Sequence, residues 1–396
     1  MRILFIAMAD SIHTARWISQ ITGQGWDIRL FPSIDCGLIH PDLKHIPVYH
    51  TLNGRLGDLN QKLFWQQYRL FRTSRFLLGA QVLPKLWPRR RVLQLCLVID
   101  EFQPDIIHSL EFQAAGYLVS ETKRIREKGF PPWIATNWGS DIYYFRQFPD
   151  QEKKIRAVLE QCDYYSCECQ RDVQLAKDLG LKGSVLPVIP NAGGFDLGLT
   201  SRLRQSGPTS ERRSIALKGY QHWVGRAIVG LAALERCSDL LREYTVEIHS
   251  ASPQTRRAAI ALQKRTGIRI NLIPKGAPHE TILSMYGRSR VAIGLSLGDG
   301  ISTSFLEGLV MGAFPIQSWT ACANEWIESG RSGLLVPPDD PEEVEHALRR
   351  ALTSDELVNT ASETNYRTAI MRLNKSALMP IATEFYTYVF NSIKQH

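Results

Sequence analysis

The stretch from Asp299 to Glu307, with the sequence DGISTSFLE, combines small, hydroxyl-bearing and acidic residues in a pattern that suits anion binding. It follows an apolar segment, Val291–Leu295, that is predicted to be a strand, and it precedes a predicted helix that runs to Gly312. A helix that begins just after a strand presents unpaired backbone N–H groups and the positive end of its dipole. The pattern therefore predicts a site for a pyrophosphate group.

The side chains of this stretch add specific chemistry. Gly300 allows the backbone to approach a ligand closely, and three hydroxyl groups can donate hydrogen bonds: those of Ser302, Thr303 and Ser304. Asp299 and Glu307 flank the stretch as acceptors for sugar hydroxyls. The spacing also fits a capping box, in which Ser304 and Glu307 would do no more than start the helix. Spacing alone does not choose between these interpretations.

A second candidate anion site lies between Lys218 and Arg226, in the sequence KGYQHWVGR. A predicted strand ends at Lys218, Gly219 follows it, and a helix is predicted to begin at Gly225. A cation in a first helical turn opposes the helix dipole, and a bound phosphate removes that conflict because Arg can bind it through two N–H groups. The alternative is that Arg226 is an ordinary surface arginine.

Two polar segments in the N-terminal half follow predicted strands. His13 comes after the first strand, and the segment Asn137–Asp141 comes after the strand Trp133–Thr136. Ligands of α/β proteins bind outside the carboxyl ends of parallel strands, so His13 is a candidate site residue, and Asp141 can orient a bound substrate. His13 can equally be an ordinary residue at a helix start, and Asp141 can be a helix cap.

The order of predicted elements indicates an α/β fold. Short apolar strands alternate with helical segments in both halves of the 396-residue chain, as crossover connections in parallel sheets require. This length fits two domains. We expect an N-terminal domain over 1–196, a polar linker over 197–213, a C-terminal domain over 214–377, and a final helix over 378–396 that can return to the first domain.

The motifs of the C-terminal half resemble those of family 4 glycosyltransferases. The resemblance rests on the Asp299–Glu307 stretch and on four segments that follow it in the same order: Gly312–Ile316, Glu325–Ile327, Gly330 and Gly333–Pro337. It implies the GT-B fold, in which two Rossmann-like domains with parallel sheets face a central cleft. It also implies transfer of a sugar from a nucleotide diphosphate, with retention of configuration and without an obligatory metal ion.

The resemblance also implies individual roles in donor binding. Glu307 would bind the ribose of the donor, and Asp299, where the family usually has Glu, would contact the donor sugar. The diphosphate would lie against two groups of residues: Lys218, Gly219 and Arg226 in the first, and Gly300, Ser302, Thr303 and Ser304 in the second.

The N-terminal motifs match the family on the acceptor side. His13 belongs to a Ser-Ile-His-Thr sequence that resembles the family's, and Trp138 stands where many members have His. We expect His13, Asp141 and Asp299 to be catalytic, and Trp138 and Ser140 to lie on the acceptor side. No metal ligand is assigned.

Charge and cysteine content predict the cellular setting. The formal net charge is +8, and one stretch is strongly basic: Arg55, Lys62, Arg69, Arg72, Arg75, Lys85, Arg89, Arg90 and Arg91. Interleaved leucines and aromatic residues make an anionic membrane surface a possible partner of residues 55–91, and a core-packed helix with a solvated basic face is the alternative. No nucleic-acid-binding motif accompanies the charge. Seven scattered cysteines indicate reduced thiols and a cytoplasmic location.

Other functions remain open at the level of sequence. A non-catalytic protein that binds nucleotide sugars would keep the same donor motifs, and a GT-B-fold nucleotide-sugar epimerase is a further alternative. The donor base (UDP or GDP), the sugar, and the acceptor (a glycan or a lipid-linked glycan) are not determined by these residues. No separate cofactor is expected, since the nucleotide sugar is itself the donor substrate.

Overall fold

The structure is a computed structural model that describes residues 1–34, 36–50, 89–126 and 129–394. The chain divides into two compact units. The first unit comprises Met1–Gly193 and Met379–His396, and the second comprises Gly194–Leu378. Within the described ranges, no helix is both long enough and apolar enough to cross a membrane.

The first unit is built on a six-stranded parallel sheet in the order β2-β1-β3-β4-β5-β6. Its strands are β1 (Arg2–Ala7), β2 (Asp27–Pro32), β3 (Ile106–Leu110), β4 (Trp133–Thr136), β5 (Tyr164–Ser166) and β6 (Ser184–Val185). Every residue of β3 and of β4 is buried, as expected of strands covered by helices on both faces. The predicted alternation of strands and helices is confirmed here.

Helices connect these strands. They are α1 (Ile12–Ser19), α2 (Arg90–Phe102), α3 (Tyr117–Arg126), α4 (Pro149–Gln161) and α5 (Gln170–Asp178). The Ser11 hydroxyl caps α1 by accepting from the backbone N–H of His13, and Pro149 begins α4 at a position where a missing N–H costs nothing. Because these helices are crossover connections between parallel strands, the carboxyl ends of all the strands lie at the same edge of the sheet.

The second unit repeats the plan, with a parallel sheet in the order β12-β11-β10-β7-β8-β9. Its strands are β7 (Ser214–Lys218), β8 (Thr245–His249), β9 (Arg269–Leu272), β10 (Ser289–Gly294), β11 (Phe314–Ser318) and β12 (Leu334–Val336). Its helices are α6 (Leu197–Leu203), α7 (Ala227–Arg236), α8 (Pro253–Thr266), α9 (His279–Gly287), α10 (Thr303–Val310), α11 (Pro341–Thr353) and α12 (Asp355–Leu373).

The stretch 197–213, expected from its polar composition to be a linker, is folded into the second unit. It contains α6 and a short turn of 3₁₀ helix, and its penultimate residue, Arg212, is fully buried. The Arg212 guanidinium donates to the carbonyl oxygens of Ser289 and Met311 at 3.2 and 3.1 Å. Nε and Nη2 of the same guanidinium are buried without an acceptor among the described residues, and burial lowers the pKa of Arg212 to about 10. Composition alone does not reveal this buried charge.

The last helix, α13 (Lys375–Lys394), contributes its residues from Met379 onward to the first unit. The Tyr386 hydroxyl accepts a hydrogen bond from Trp17 Nε1 at 2.8 Å and lies 2.7 Å from His108 Nδ1. His108 Nε2 lies 2.6 Å from the Thr136 hydroxyl. Complete burial lowers the pKa of His108 to about 3, so the ring is neutral and the network is uncharged.

We expect Tyr386→Phe to destabilise the first unit by about 2–4 kcal/mol, because it leaves two buried polar groups, on Trp17 and His108, without their partner. Urea unfolding followed by tryptophan fluorescence measures the change. Tyr388→Phe is the control, since Tyr388 is 54% exposed and lies two residues away on the same helix. Equal unfolding midpoints for the two variants would contradict the role given to the Tyr386 hydroxyl.

Candidate functional site

The carboxyl ends of β7 and β10 meet in the second unit, because the two strands are paired neighbours in its sheet. Lys218 ends β7, and its Nζ donates to the Ser302 hydroxyl at 2.8 Å. The same Nζ lies 3.5 Å from Asp299 Oδ2. Residues that are more than 80 positions apart in sequence are thus joined in one cluster, which we call the Lys218 cluster: Lys218, Asp299 and Ser302.

The start of α10 rules out the capping-box interpretation. The N-cap is Ser302, which makes no side-chain capping bond, and Ser304 lies inside the helix. The Ser304 side chain instead bonds to Tyr286, and the Glu307 carboxylate bonds to His279. Neither side chain of the supposed box is thus used as a cap, and the helix begins at Thr303 with its first N–H groups directed away from its own carbonyls.

Glu307 is buried one turn into α10, with 5% of its surface exposed. Its Oε1 lies 2.7 Å from Nε2 of His279, the first residue of α9. The His279 side chain is 42% exposed, whereas that of Glu307 is 6% exposed. The carboxylate is therefore held in place by a partner that the sequence analysis did not identify.

A buried histidine–tyrosine pair supports this part of the site. His249 Nε2 lies 2.8 Å from the Tyr286 hydroxyl, and His249 Nδ1 lies 3.1 Å from the Ser250 hydroxyl. Burial lowers the pKa of His249 to about 4, and burial raises the pKa of Tyr286 well above its usual range. Sequence reasoning missed both residues, although the position of His249 at the carboxyl end of β8 is a usable signal.

In the loop after β7, the backbone at Gly219 lies close to the backbone of His249 and Ala251. A Cβ atom at Gly219 would lie 2.7 Å from both the His249 carbonyl oxygen and the Ala251 Cα, so no larger residue fits without a shift of the chain. On the other side of the cluster, the Gly300 carbonyl accepts from the Cys322 N–H at 2.9 Å. Gly219 therefore lies in a tightly fitted turn, and the Gly300 backbone is held by a hydrogen bond from Cys322.

The predicted helix start at Gly225 would place Arg226 within the first turn, but α7 begins at Ala227 and Arg226 is its N-cap. Its Nη1 donates to the carbonyl oxygens of His222 and Gly225, both at 3.0 Å. His222 Nδ1 accepts from the Val224 N–H at 3.3 Å. Burial and the charges of Lys218 and Arg226 lower the pKa of His222, which indicates that both cations lie close to this ring.

In the first unit, the structure brings His13 and Trp138 together, with ring centroids 5.5 Å apart at an angle of 61°. His13 lies at the exposed start of α1. The Trp138 indole N–H is buried and has no hydrogen-bond acceptor among the residues that the structure describes. Ser140 is half-buried in the same loop, and its carbonyl accepts from the Tyr144 N–H at 3.1 Å.

Asp141 is buried beneath this loop. Its Oδ2 accepts from the backbone N–H groups of Trp138 and Phe112, both at 2.8 Å. Burial and the nearby Glu111 raise the pKa of the Asp141 carboxyl well above its usual range. Glu111, at the end of β3, has a positive φ of 75° and caps the next turn through the N–H groups of Ala114 and Ala115. The sequence analysis missed Glu111.

Most of the predicted basic stretch, residues 55–88, lies outside the described residues, so membrane contact stays a prediction. Arg89, Arg90 and Arg91 are described. The Arg91 guanidinium bonds to the Pro32 carbonyl and lies 4.5 Å above the Phe31 ring. This arginine therefore packs against the end of β2.

The buried His249 makes stability depend on pH. Its pKa is about 4 in the folded state and about 6.5 in the unfolded chain, so between these values only the unfolded state binds the proton. Stability therefore falls as the pH is lowered through this window. Urea unfolding from pH 7 to pH 4.5 should show a shallower fall for His249→Gln than for the wild type, by at most about 1.4 kcal/mol per pH unit.

The control for this pH series is His346→Gln, because the His346 side chain is 62% exposed in the same unit. We expect its pH dependence to match that of the wild type. The interpretation fails if His249→Gln keeps the full slope of the wild type. The comparison uses slopes, which a uniform loss of stability in the variant does not change.

Comparisons with known proteins match both halves of the chain. The family described as Glycosyl transferases group 1 matches residues 226–354, and the family described as Glycosyl transferase 4-like matches residues 89–165. A comparison with curated proteins by sequence returned no match.

Solved structures match over nearly the whole length. Sucrose-phosphate synthase from Thermosynechococcus elongatus has a TM-score of 0.72 and 16% identity, with 99% of this chain and 100% of that chain covered. HepE from Anabaena, in complex with UDP-glucose, has a TM-score of 0.68 and 15% identity, with 98% and 100% covered.

A third match is the E. coli trehalose-6-phosphate structure bound with UDP-2-fluoro glucose, with a TM-score of 0.66, 14% identity, and 98% and 99% covered. The likeness to these structures is one of fold, and the two matching families together span about half of the sequence. The chain therefore belongs to the group 1 and 4-like glycosyl transferases and has the GT-B fold.

Proposed function

We propose that the protein transfers a sugar from a UDP-sugar to a glycan or lipid-linked acceptor, with retention of the anomeric configuration. The observation that carries the proposal is the Lys218 cluster, which lies at the N-terminus of α10 with Glu307 buried one turn beyond it. A cation, unpaired N–H groups and a buried carboxylate in this order match the successive phosphate and ribose groups of a nucleotide diphosphate.

The diphosphate is the group that the cations and helix ends stabilise. Lys218 Nζ and the N–H groups of Thr303 and Ser304 bind one phosphate, together with the Ser302 hydroxyl and the backbone at Gly300. Arg226, at the start of α7, binds the other phosphate beside Gly219. As the sugar leaves, negative charge grows on the diphosphate, and these fixed positive groups lower the energy of that state.

Acidic residues bind the hydroxyl groups of the donor. Glu307 accepts from the ribose, and Asp299, already 3.5 Å from Lys218 Nζ, accepts from the transferred sugar. The acceptor oxygen forms a bond to the anomeric carbon while the bond from that carbon to the phosphate oxygen breaks. The acceptor's proton passes to the departing diphosphate, so the balance needs no protein base and no metal ion.

The acceptor binds to the first unit at the carboxyl edge of its sheet. His13 and Trp138, which are in ring contact, and the neighbouring Ser140 line this part of the site. We assign Asp141 a positioning role, since its carboxylate holds the backbone of this loop.

The choice of UDP is supported by the neighbours, since HepE and the E. coli structure were determined with UDP-glucose and UDP-2-fluoro glucose. Thermal unfolding tests it, because a ligand that binds the folded state raises the melting temperature. We expect UDP at 100 times its Kd to stabilise the wild type by about 2.7 kcal/mol. Glu307→Ala and Arg226→Ala should lose most of this gain.

Arg236→Ala is the matched control, because Arg236 ends the same helix that Arg226 begins and is about half exposed. It should respond to UDP as the wild type does. Equal stabilisation by UDP of Arg226→Ala and Arg236→Ala would remove Arg226 from the donor site. A further assay measures hydrolysis of the UDP-sugar in the absence of an acceptor. Hydrolysis indicates an enzyme, whereas a protein that only binds the nucleotide sugar leaves it intact.

A further inference from the structure

We infer that His279 is a positioning residue for the donor: it orients the Glu307 carboxylate toward the ribose hydroxyls and so makes binding selective for ribonucleotides. This inference rests on the proposed function, because it assumes that Glu307 binds the ribose of the donor. The observation behind it is the 2.7 Å contact between His279 Nε2 and Glu307 Oε1.

The chemistry of the pair defines which group donates. An ionised carboxylate can only accept hydrogen bonds, so Nε2 must carry the proton in this contact. Hydrogen bonds to a charged group are short and strong, and 2.7 Å is within their usual range. The carboxylate of Glu307 therefore has one oxygen tied to a fixed direction, which restricts the rotation of its side chain.

Two helices fix the geometry. His279 begins α9 directly after Pro278, and the buried residues Leu283 and Tyr286 anchor that helix. Glu307 lies in α10, which packs against α9. The pair therefore joins two rigid elements, and the placement of the carboxylate does not depend on a flexible loop.

Exposure places His279 on the solvent side of the carboxylate. Its side chain is 42% exposed, while that of Glu307 is 6% exposed. The imidazole is therefore the accessible member of the pair, next to a carboxylate that is almost fully covered. Glu307 is four residues beyond Thr303, which is roughly 6 Å along the axis of α10 from its N-terminus.

A simpler role for the pair would be to stabilise the start of α9. A carboxylate near a helix N-terminus is favourable, and Glu307 fulfils this condition for α9. That role predicts a loss of thermal stability in His279 variants but no change in the preference between ribose and deoxyribose. The two roles therefore predict different ratios of the affinities for UDP and its deoxy analogues. A general loss of stability in a variant does not change this ratio.

The test is calorimetric binding of UDP, 2′-deoxy-UDP and 3′-deoxy-UDP to the full chain. For the wild type we expect at least one deoxy analogue to bind about tenfold more weakly than UDP, since a hydrogen bond to a charged group is lost. His279→Ala should reduce this ratio to about twofold. His279→Gln, whose amide N–H can donate to the carboxylate, should restore part of it.

The control is His346→Ala, because His346 lies 3.8 Å from Glu343 in an exposed histidine–glutamate pair of the same unit. It should keep the wild-type ratio. A wild-type ratio in His279→Ala, or identical behaviour of the Gln and Ala variants, would overturn the inference while leaving the UDP site intact. Failure of UDP to bind the wild type would instead overturn the donor assignment and, with it, this inference.

Discussion

The bond between Lys218 and Ser302 is the contact on which the Lys218 cluster of the second unit depends. It joins the carboxyl end of β7 to the start of α10, and it holds an ammonium group where several helix N–H groups also point. Asp299, 3.5 Å from the same nitrogen, keeps this concentration of positive charge partly balanced. The parallel pairing of β7 with β10 makes the contact possible, because it brings both strand ends to one edge.

Neutral, buried histidines serve a related purpose in the two units. His108 in the first unit and His249 in the second each bridge a tyrosine hydroxyl and a second hydroxyl group. Both have depressed pKa values because burial disfavours their charged form. An uncharged imidazole can donate from one nitrogen and accept at the other, so it fixes neighbouring elements without a buried charge. Each network lies within a single unit and at a strand of its sheet.

The fold could be predicted from the sequence, whereas the side-chain contacts that hold the candidate site residues in place could not. Alternating strands and helices are local patterns, so the two parallel sheets could be predicted from them. The pairing of Glu307 with His279 could not, because the two residues are 28 positions apart and nothing in the sequence marks that pair. The spacing of Ser304 and Glu307 suggested a capping box, but in the folded chain Ser304 bonds to Tyr286 and Glu307 bonds to His279. The burial of Arg212 could not be predicted from polar composition either, because its Nη1 donates to the carbonyls of Ser289 and Met311, which are 77 and 99 positions away.

The return of α13 to the first unit has a consequence for synthesis on the ribosome. His108 and Trp17 emerge early, but their partner Tyr386 is added only after the whole second unit has been made. At typical translation rates, the stretch between Gly193 and Met379 takes roughly 10–40 s to synthesise. During that interval the surface around Trp17 and His108, which Tyr386 covers in the folded protein, has no partner from α13. Chaperones that recognise exposed apolar surface can therefore bind the nascent first unit until α13 has been synthesised.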